Sequence, residues 1–268
     1  MLTPLNLIGM KTEYGTASKL ALLLGITMLA VIGMFLVPAI PQDPAYHEFA
    51  DRNRWFGVPN FWNVATNIPF LLIGLAALRE LGRGTPNRML PELRASYLAF
   101  FIGIALIAPG SAYYHLDPNN TTLLWDRLPM TIAFMAFVSI IVGEYISRQA
   151  GQNLLWPLIL LGIASIVYWH LTEQSGHGDL RPYALVQFLP MLLIPLILLL
   201  FSPSFTGTGY IWALLGFYAV AKLAELLDET IFQVMCPISG HALKHVLAAI
   251  GAYCFLLGLR KRKPIRRE

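Results

Sequence analysis

Charge is what this chain has least of. Of its 268 residues, 13% are Asp, Glu, Lys or Arg, while 56% are hydrophobic and the mean hydropathy is +0.60. A soluble domain carries about a quarter charged residues, so an ordinary soluble enzyme is excluded. Cysteine is nearly absent. Cys236 and Cys254 have no metal-type spacing, could form at most one disulfide, and read as packing residues. No small-residue cleavage site follows the first apolar run, residues 20–40, which is too long for a signal peptide and reads as a spanning helix. Internal repeats and low-complexity linkers are missing too, so the apolar segments belong to one continuous unit.

What the chain does have is long apolar runs. Eight segments approach the ~20 residues needed to cross a bilayer: 18–40, 61–80, 95–116, 126–147, 154–172, 183–201, 209–233 and 240–259. A polar connector, 41–59, sets the first apart. The expected fold is therefore all-α, a polytopic transmembrane bundle with a seven-helix core and one extra N-terminal helix. We divide it into residues 1–60 (extra helix and outer connector), 61–259 (core) and 260–268 (basic tail).

The cations supply an orientation. Six of the 19 Lys/Arg lie in 260–268, which reads as a cytoplasmic stop after a last membrane helix rather than a nucleic-acid site. With that tail inside, Lys11, Lys19, Arg79, Arg83, Arg88, Arg94 and Arg148 join it, making 13 cations. Only four, Arg52, Arg54, Arg127 and Arg181, lie opposite. Both termini are then cytoplasmic, in a multi-pass protein of the cytoplasmic membrane. Pro129 is expected in the first turn of the fourth helix, where a missing N–H is tolerated.

This orientation brings polar residues to one depth. His241 and His245 are four apart and share a helix face, as do Ser111 and His115. Asp126 follows at the start of the next segment. All five fall on the outer side, toward the outer leaflet. A lone histidine in a membrane helix more often satisfies a helix–helix hydrogen bond. Three at one depth with a carboxylate suit a zinc site with an open position, where zinc lowers the pKa of a bound water toward 7. Asp126 could then serve as base and Ser111 as oxyanion donor or extra ligand. His47 and His177 read as loop residues, and His170 as interfacial or as support for a ligand. Lys222 and Glu225 read as a self-neutralising pair, while Asp228 could steady a histidine's second nitrogen.

The order Phe61-Trp62-Asn63-x-x-x-Asn67, Gly110-Ser111-x-x-x-His115, Asp126-x-x-Pro129-Met130, Asp228 and Gly240-His241-x-x-x-His245 resembles the alkaline ceramidase family. That family belongs to a superfamily of seven-helix membrane hydrolases that includes progestin/adiponectin receptors and GPI-lipid remodelling factors. Gly178-Asp179-Leu180-Arg181-Pro182-Tyr183, followed by Gln187, is similar to its bacterial branch. The resemblance implies an intramembrane amidase that cleaves ceramide-like lipids into fatty acid and long-chain base. His115, His241 and His245 would ligate zinc, Ser111 and Asp126 would assist, and Tyr183 and Arg181 are weaker candidates for contact with the lipid's polar head. The animal enzymes carry a calcium-binding segment and a Glu directly before Phe-Trp-Asn. Here Asn60 takes that place, and Asp51, Asn53 and Asn60 offer less charge, so calcium binding is expected to be weak or absent.

Two other readings stay open on the residues alone. One is a non-catalytic lipid receptor or carrier, which has little need of a base beside an open metal site. The other is a bis-histidine haem protein, which needs histidines facing one another across helices. Amide and ester substrates are equally open, as is the oligomeric state.

Overall fold

The computed structural model describes residues 15–84 and 88–265. Lys11, Arg266 and Arg267, counted above as cytoplasmic, lie outside the described residues. Among these the chain is helical: α1 Thr16–Leu36, α2 Phe61–Ala65, α3 Ile68–Gly82, α4 Arg94–Leu116, α5 Asn120–Tyr145, α6 Arg148–Gln174, α7 Arg181–Leu200, α8 Thr208–Leu226, α9 Asp228–Met235 and α10 Gly240–Lys261. Eight spans are long and apolar enough to cross a bilayer, with α2 and α3 together forming the second and α9 belonging to none. The polytopic all-α bundle read from the sequence is the observed fold. α5 is the most enclosed span and packs between α4 and α6, while α10 packs on α8 and α3. α1 lies outermost, against α7.

Among the boundaries that differ from expectation, three shape the site, each for a local reason. The second segment breaks at Thr66 and Asn67, because Pro69 has no N–H to offer the Ala65 carbonyl. The Asn67 side chain stitches the break by donating to the Asn63 carbonyl at 2.7 Å. The fourth segment starts six residues early, at Asn120. There Asn119 accepts the Thr121 and Thr122 N–H groups at 2.9 and 3.0 Å, and Thr122 answers as a capping box. Pro129 is therefore interior rather than in the first turn. The seventh segment ends at Leu226, and Asp228 begins the short α9 instead of continuing the face of Glu225.

Interior prolines and glycines set the close approaches. Pro129 leaves the Trp125 carbonyl without its helical partner. That carbonyl faces Gly110 of α4, where a Cβ would lie 2.2 Å from it. Gly240 meets the Ala224 carbonyl of α8 in the same way, at 2.1 Å. With lipid outside, close packing of this kind, rather than release of water, holds helices together. Here it also brings the ends of α4 and α8 against the starts of α5 and α10.

The opposite end of the bundle carries a buried ion pair. Arg262, expected in a loose basic tail, is only 6% exposed. Its Nη1 lies 2.6 Å from Glu144 Oε1, its Nη2 donates to Tyr97 Oη at 2.8 Å, and the plane covers Phe205 at 4.1 Å. Tyr97 also donates to Glu144. Residues 263–265 run on beside the α7–α8 connection, through Thr206 N to Lys263 O and Ile265 N to Ser204 O.

A second clasp holds α1. Arg181 grips Asp179 through two bonds of 2.8 Å and donates to the Val37 carbonyl at 2.7 Å. Leu180 N adds a bond to Ile40 O. The Arg181 guanidinium beside Asp179 holds its carboxyl below the usual carboxylate range. The clasp therefore contributes fully above the ordinary Asp pKa and is lost as pH falls through the lowered one.

Two outcomes follow. Arg262→Ala strands Glu144 in the bundle and should cost about 3–5 kcal/mol, whereas Arg260→Ala, which loses a partly exposed pair with Glu80, should cost no more than about 1 kcal/mol. Thermal unfolding in detergent reads the difference. Acidification from about pH 6 to about pH 3 should lower the wild-type midpoint more than that of Asp179→Asn, whose clasp no longer titrates.

Candidate active site

Two helices deliver the histidines. His115 ends α4, and His241 and His245 open α10, one turn apart. The ring centroids form a triangle of 4.9, 5.1 and 5.0 Å, with every pair edge to face. All three residues are buried. Each offers a nitrogen within 4.8 Å of the other two, and a tetrahedral zinc with bonds of 2.0–2.1 Å asks for roughly 3.4 Å between ligand nitrogens. Small side-chain rotations close that gap. Rings packed this tightly leave no flat space for a porphyrin, which removes the haem reading.

The donor set fits a metal on a separate ground. Both ring nitrogens of His115 are buried without a hydrogen-bond partner. One of them carries an unprotonated lone pair in the neutral ring, and leaving both unmet costs on the order of 1–3 kcal/mol apiece. The other two rings have defined proton positions. Thr66 Oγ1 already donates its proton to the Trp62 carbonyl at 2.6 Å, so at 3.1 Å it accepts from His245 Nδ1. The His245 Nε2 lone pair is thereby free. Lys244 Nζ lies 2.8 Å from His241 Nε2, and an ammonium only donates, so that nitrogen is unprotonated and a metal ligated there would replace the Lys244 contact. This is the form in which imidazole binds metals.

The supports come from several elements. Asp228 accepts the His241 backbone N–H at 2.6 Å and the Ala50 N–H at 2.9 Å. It thus ties the start of α10 to the 41–59 connector, rather than holding an imidazole nitrogen as the sequence suggested. Phe49, from that connector, lies 4.7 Å from the His115 ring and 4.5 Å from His241, and closes one side of the triangle. His47 is no idle loop residue. It bridges Tyr114 Oη and Asn120 Oδ1, each at 2.8 Å, and pins the connector across α4 and α5. Asn60 donates to the His115 carbonyl at 2.8 Å, and the Asp51 carboxylate accepts the N–H groups of Asn53 and Trp62. His170 and His177 take no part in the triangle; they bond to Gln174 and to the Ser175 carbonyl.

His245, Ser111 and Asp126 share the wall of a cavity of about 410 Å³, a size that suits small lipophilic ligands. Its deeper wall is apolar, with Phe100, Ile104, Met130 and Phe134. Ser111 Oγ is buried and unpartnered. Tyr183 lines the cavity as well, but Arg181 does not, because its guanidinium is spent in the α1 clasp. Lys222 and Glu225 pair as expected, and Lys244 joins them at 2.9 Å. Arg127, counted from the sequence only among the outer-side cations, is 6% exposed and lies in the cavity wall. Thr66, Phe49, Lys244 and Arg127 were all missed. Only Thr66 had a signal, the Pro69 break beside it.

The ceramidase family model matches residues 57–262, from the turn before α2 to the buried arginine after α10. Mouse alkaline ceramidase 3 is 23% identical over 217 residues, covering 75% of this chain and 76% of that protein. The matched region contains all three histidines, Ser111 and Asp126. With eight apolar spans around them, the chain is an integral membrane protein and belongs to the ceramidase family.

Proposed function

We propose that this chain is a zinc-dependent intramembrane amidase that hydrolyses the N-acyl bond of ceramide-like sphingolipids to a fatty acid and a long-chain base. Family membership makes it a hydrolase of the ceramide amide bond. The observation that carries the metal is His115, a fully buried imidazole with two unmet nitrogens inside a triangle of histidines. Zinc bound there would supply a Lewis acid and a nucleophile competent at neutral pH.

The chain's own residues supply the rest. Thr66 and Asp228 orient His245 and the backbone of His241, as ligating imidazoles require. Asp126, in the cavity wall, takes the proton of the attacking water and returns it to the leaving amine. Ser111 Oγ, buried beside the Asp126 carboxyl, donates to the amide oxygen as that atom gains charge. Phe49 excludes bulk water from one side. The apolar depth of the cavity takes a tail, while Tyr183 and the 41–59 connector face the head. The charge bias of the loops supports a cytoplasmic-membrane location with the site end toward the outer leaflet and both termini inside. We keep domain limits of 1–60, 61–259 and 260–268 as part of the proposal, with Arg262 packed into the core.

The decisive assay is hydrolysis of a panel of N-acyl and O-acyl lipids, with chelator and metal add-back. Fatty acid should be released from ceramide, lost with chelation and restored by zinc. His245→Ala should bind no stoichiometric zinc and release none. Metal-replete wild type that cleaves nothing in the panel overturns the proposal. Ser111→Ala and Asp126→Asn should each retain zinc while losing about 10²–10³-fold in kcat. Asp228→Ala should weaken zinc affinity about 10–100-fold, read by competition with a fluorescent chelator.

A further inference from the structure

Arg127 is a buried cation that the reaction above does not use. It lies on α5 beside Asp126, in the wall of the same cavity. Its guanidinium is caged by three rings, Trp169 at 4.7 Å, Tyr183 at 4.9 Å and Tyr46 at 5.3 Å. Nη2 donates to the Gln42 side-chain oxygen at 2.7 Å, and Nη1 is buried with no partner. Among the described residues no carboxylate forms an ion pair with it. Burial and the Glu225 carboxylate push the Tyr46 hydroxyl well up, so that ring stays neutral and supplies no counter-charge. The other buried arginine, Arg262, has Glu144. Arg127 has no anion in hydrogen-bond contact, only the Asp126 carboxyl within electrostatic reach, and so incomplete a pairing at membrane depth is expensive unless a ligand completes it.

The geometry points to an oxyanion on the lipid's head as that ligand. We propose that Arg127 is a specificity-determining residue, and that this chain prefers N-acyl lipids whose head carries a phosphate or similar oxyanion over a neutral ceramide. Gln42 Oε1 marks the acceptor position, supplied by the connector rather than by a spanning helix. A charged oxygen makes a bond about twice as strong as a neutral one and can use both arms of the guanidinium fork. Arg127 and Gln42 belong to the end of the cavity walled by the 41–59 connector and the start of α7, where a head would lie, while the apolar depth holds a tail. The inference rests on the hydrolase reading for its substrate but not for its binding step.

The test compares ceramide with ceramide 1-phosphate of the same chains, in wild type, Arg127→Gln and Arg127→Lys. Wild type should show a kcat/KM ratio of about tenfold or more for the phosphorylated lipid. Arg127→Gln should bring that ratio to about one, and Arg127→Lys, which keeps the charge without the fork, should fall between. Should the glutamine variant fail to fold, the lysine variant carries the comparison alone. A wild-type ratio at or below one, or a ratio untouched by either variant, overturns the proposal. The carboxylate of the released fatty acid is the rival source of an oxyanion. An unchanged ratio with weakened inhibition by added palmitate in the variants would assign Arg127 to the product and overturn the head-group assignment. Binding is read separately through Trp169, whose ring lies on the guanidinium. Ceramide 1-phosphate, but not ceramide, should change tryptophan fluorescence in metal-stripped wild type, and Trp169→Phe should abolish the change. A fluorescence response without turnover of any lipid sinks the hydrolase reading and leaves the head-group site standing; turnover without it does the reverse.

Discussion

An imidazole with two unmet nitrogens, sealed from water, is the constraint on which the rest of this bundle depends. His115 contributes nothing to stability in that state, and a polar group so placed costs free energy that helix packing must offset. The surrounding architecture makes sense as the apparatus that holds it beside two more imidazoles. Gly110 lets α5 approach α4 at the level of Trp125, and Gly240 lets α10 start against the end of α8. Asp228 and Phe49 then fix the third side. Each contact is short range, so a larger side chain at either glycine would move a histidine by more than a metal bond tolerates.

Buried charge is handled in two ways. At the end of the bundle near Arg262, cation, carboxylate and phenol satisfy one another, and the cluster locks α4, α5 and the chain after α10. At the site end, charges are only partly matched. Glu225 shares two lysines, Lys244 also reaches His241, and Arg127 has aromatic faces and an amide. A paired cluster resists rearrangement, whereas a partly matched one has capacity to meet a ligand. The same chain thus separates scaffold from site by how completely its polar groups are satisfied.

The bundle, its spans and the three histidines were legible because each leaves a periodic or spacing signal in one dimension. Long apolar runs report helices, and His-x-x-x-His reports a shared face. The misplaced boundaries arose where one residue overrode the run: Pro69 broke a helix, the Asn119 cap extended one, and Leu227 ended another. Phe49 and Lys244 were invisible for a different reason. Their roles depend on which helix ends meet, which hydropathy does not encode. Arg127 was counted only as an outer-side cation, because charge bias records the side on which a residue lies and not what packs around it. Arg181 was misread, since Asp179, two residues away, consumes its guanidinium.

The 41–59 connector links these observations. It is polar enough to read as an outer loop, yet Gln42, Tyr46, His47, Phe49 and Ala50 contact, in turn, Arg127, Glu225, Tyr114, the imidazole triangle and Asp228. Its start is anchored by α1, which the Arg181 clasp holds against α7. The extra N-terminal helix therefore has a physical consequence far from its own surface: it fixes one end of the segment that walls the cavity and screens the histidines. A bundle without that helix would keep its imidazoles and the connector's contacts with α4, α5 and α9, but the first residues of the connector would lose their anchor. Because Gln42 and Phe49 lie within eight residues of each other on that segment, any movement that frees the guanidinium acts on a chain that also covers the triangle. The short stretch that supplies Gln42 to the guanidinium thus also supplies Phe49 to the histidines.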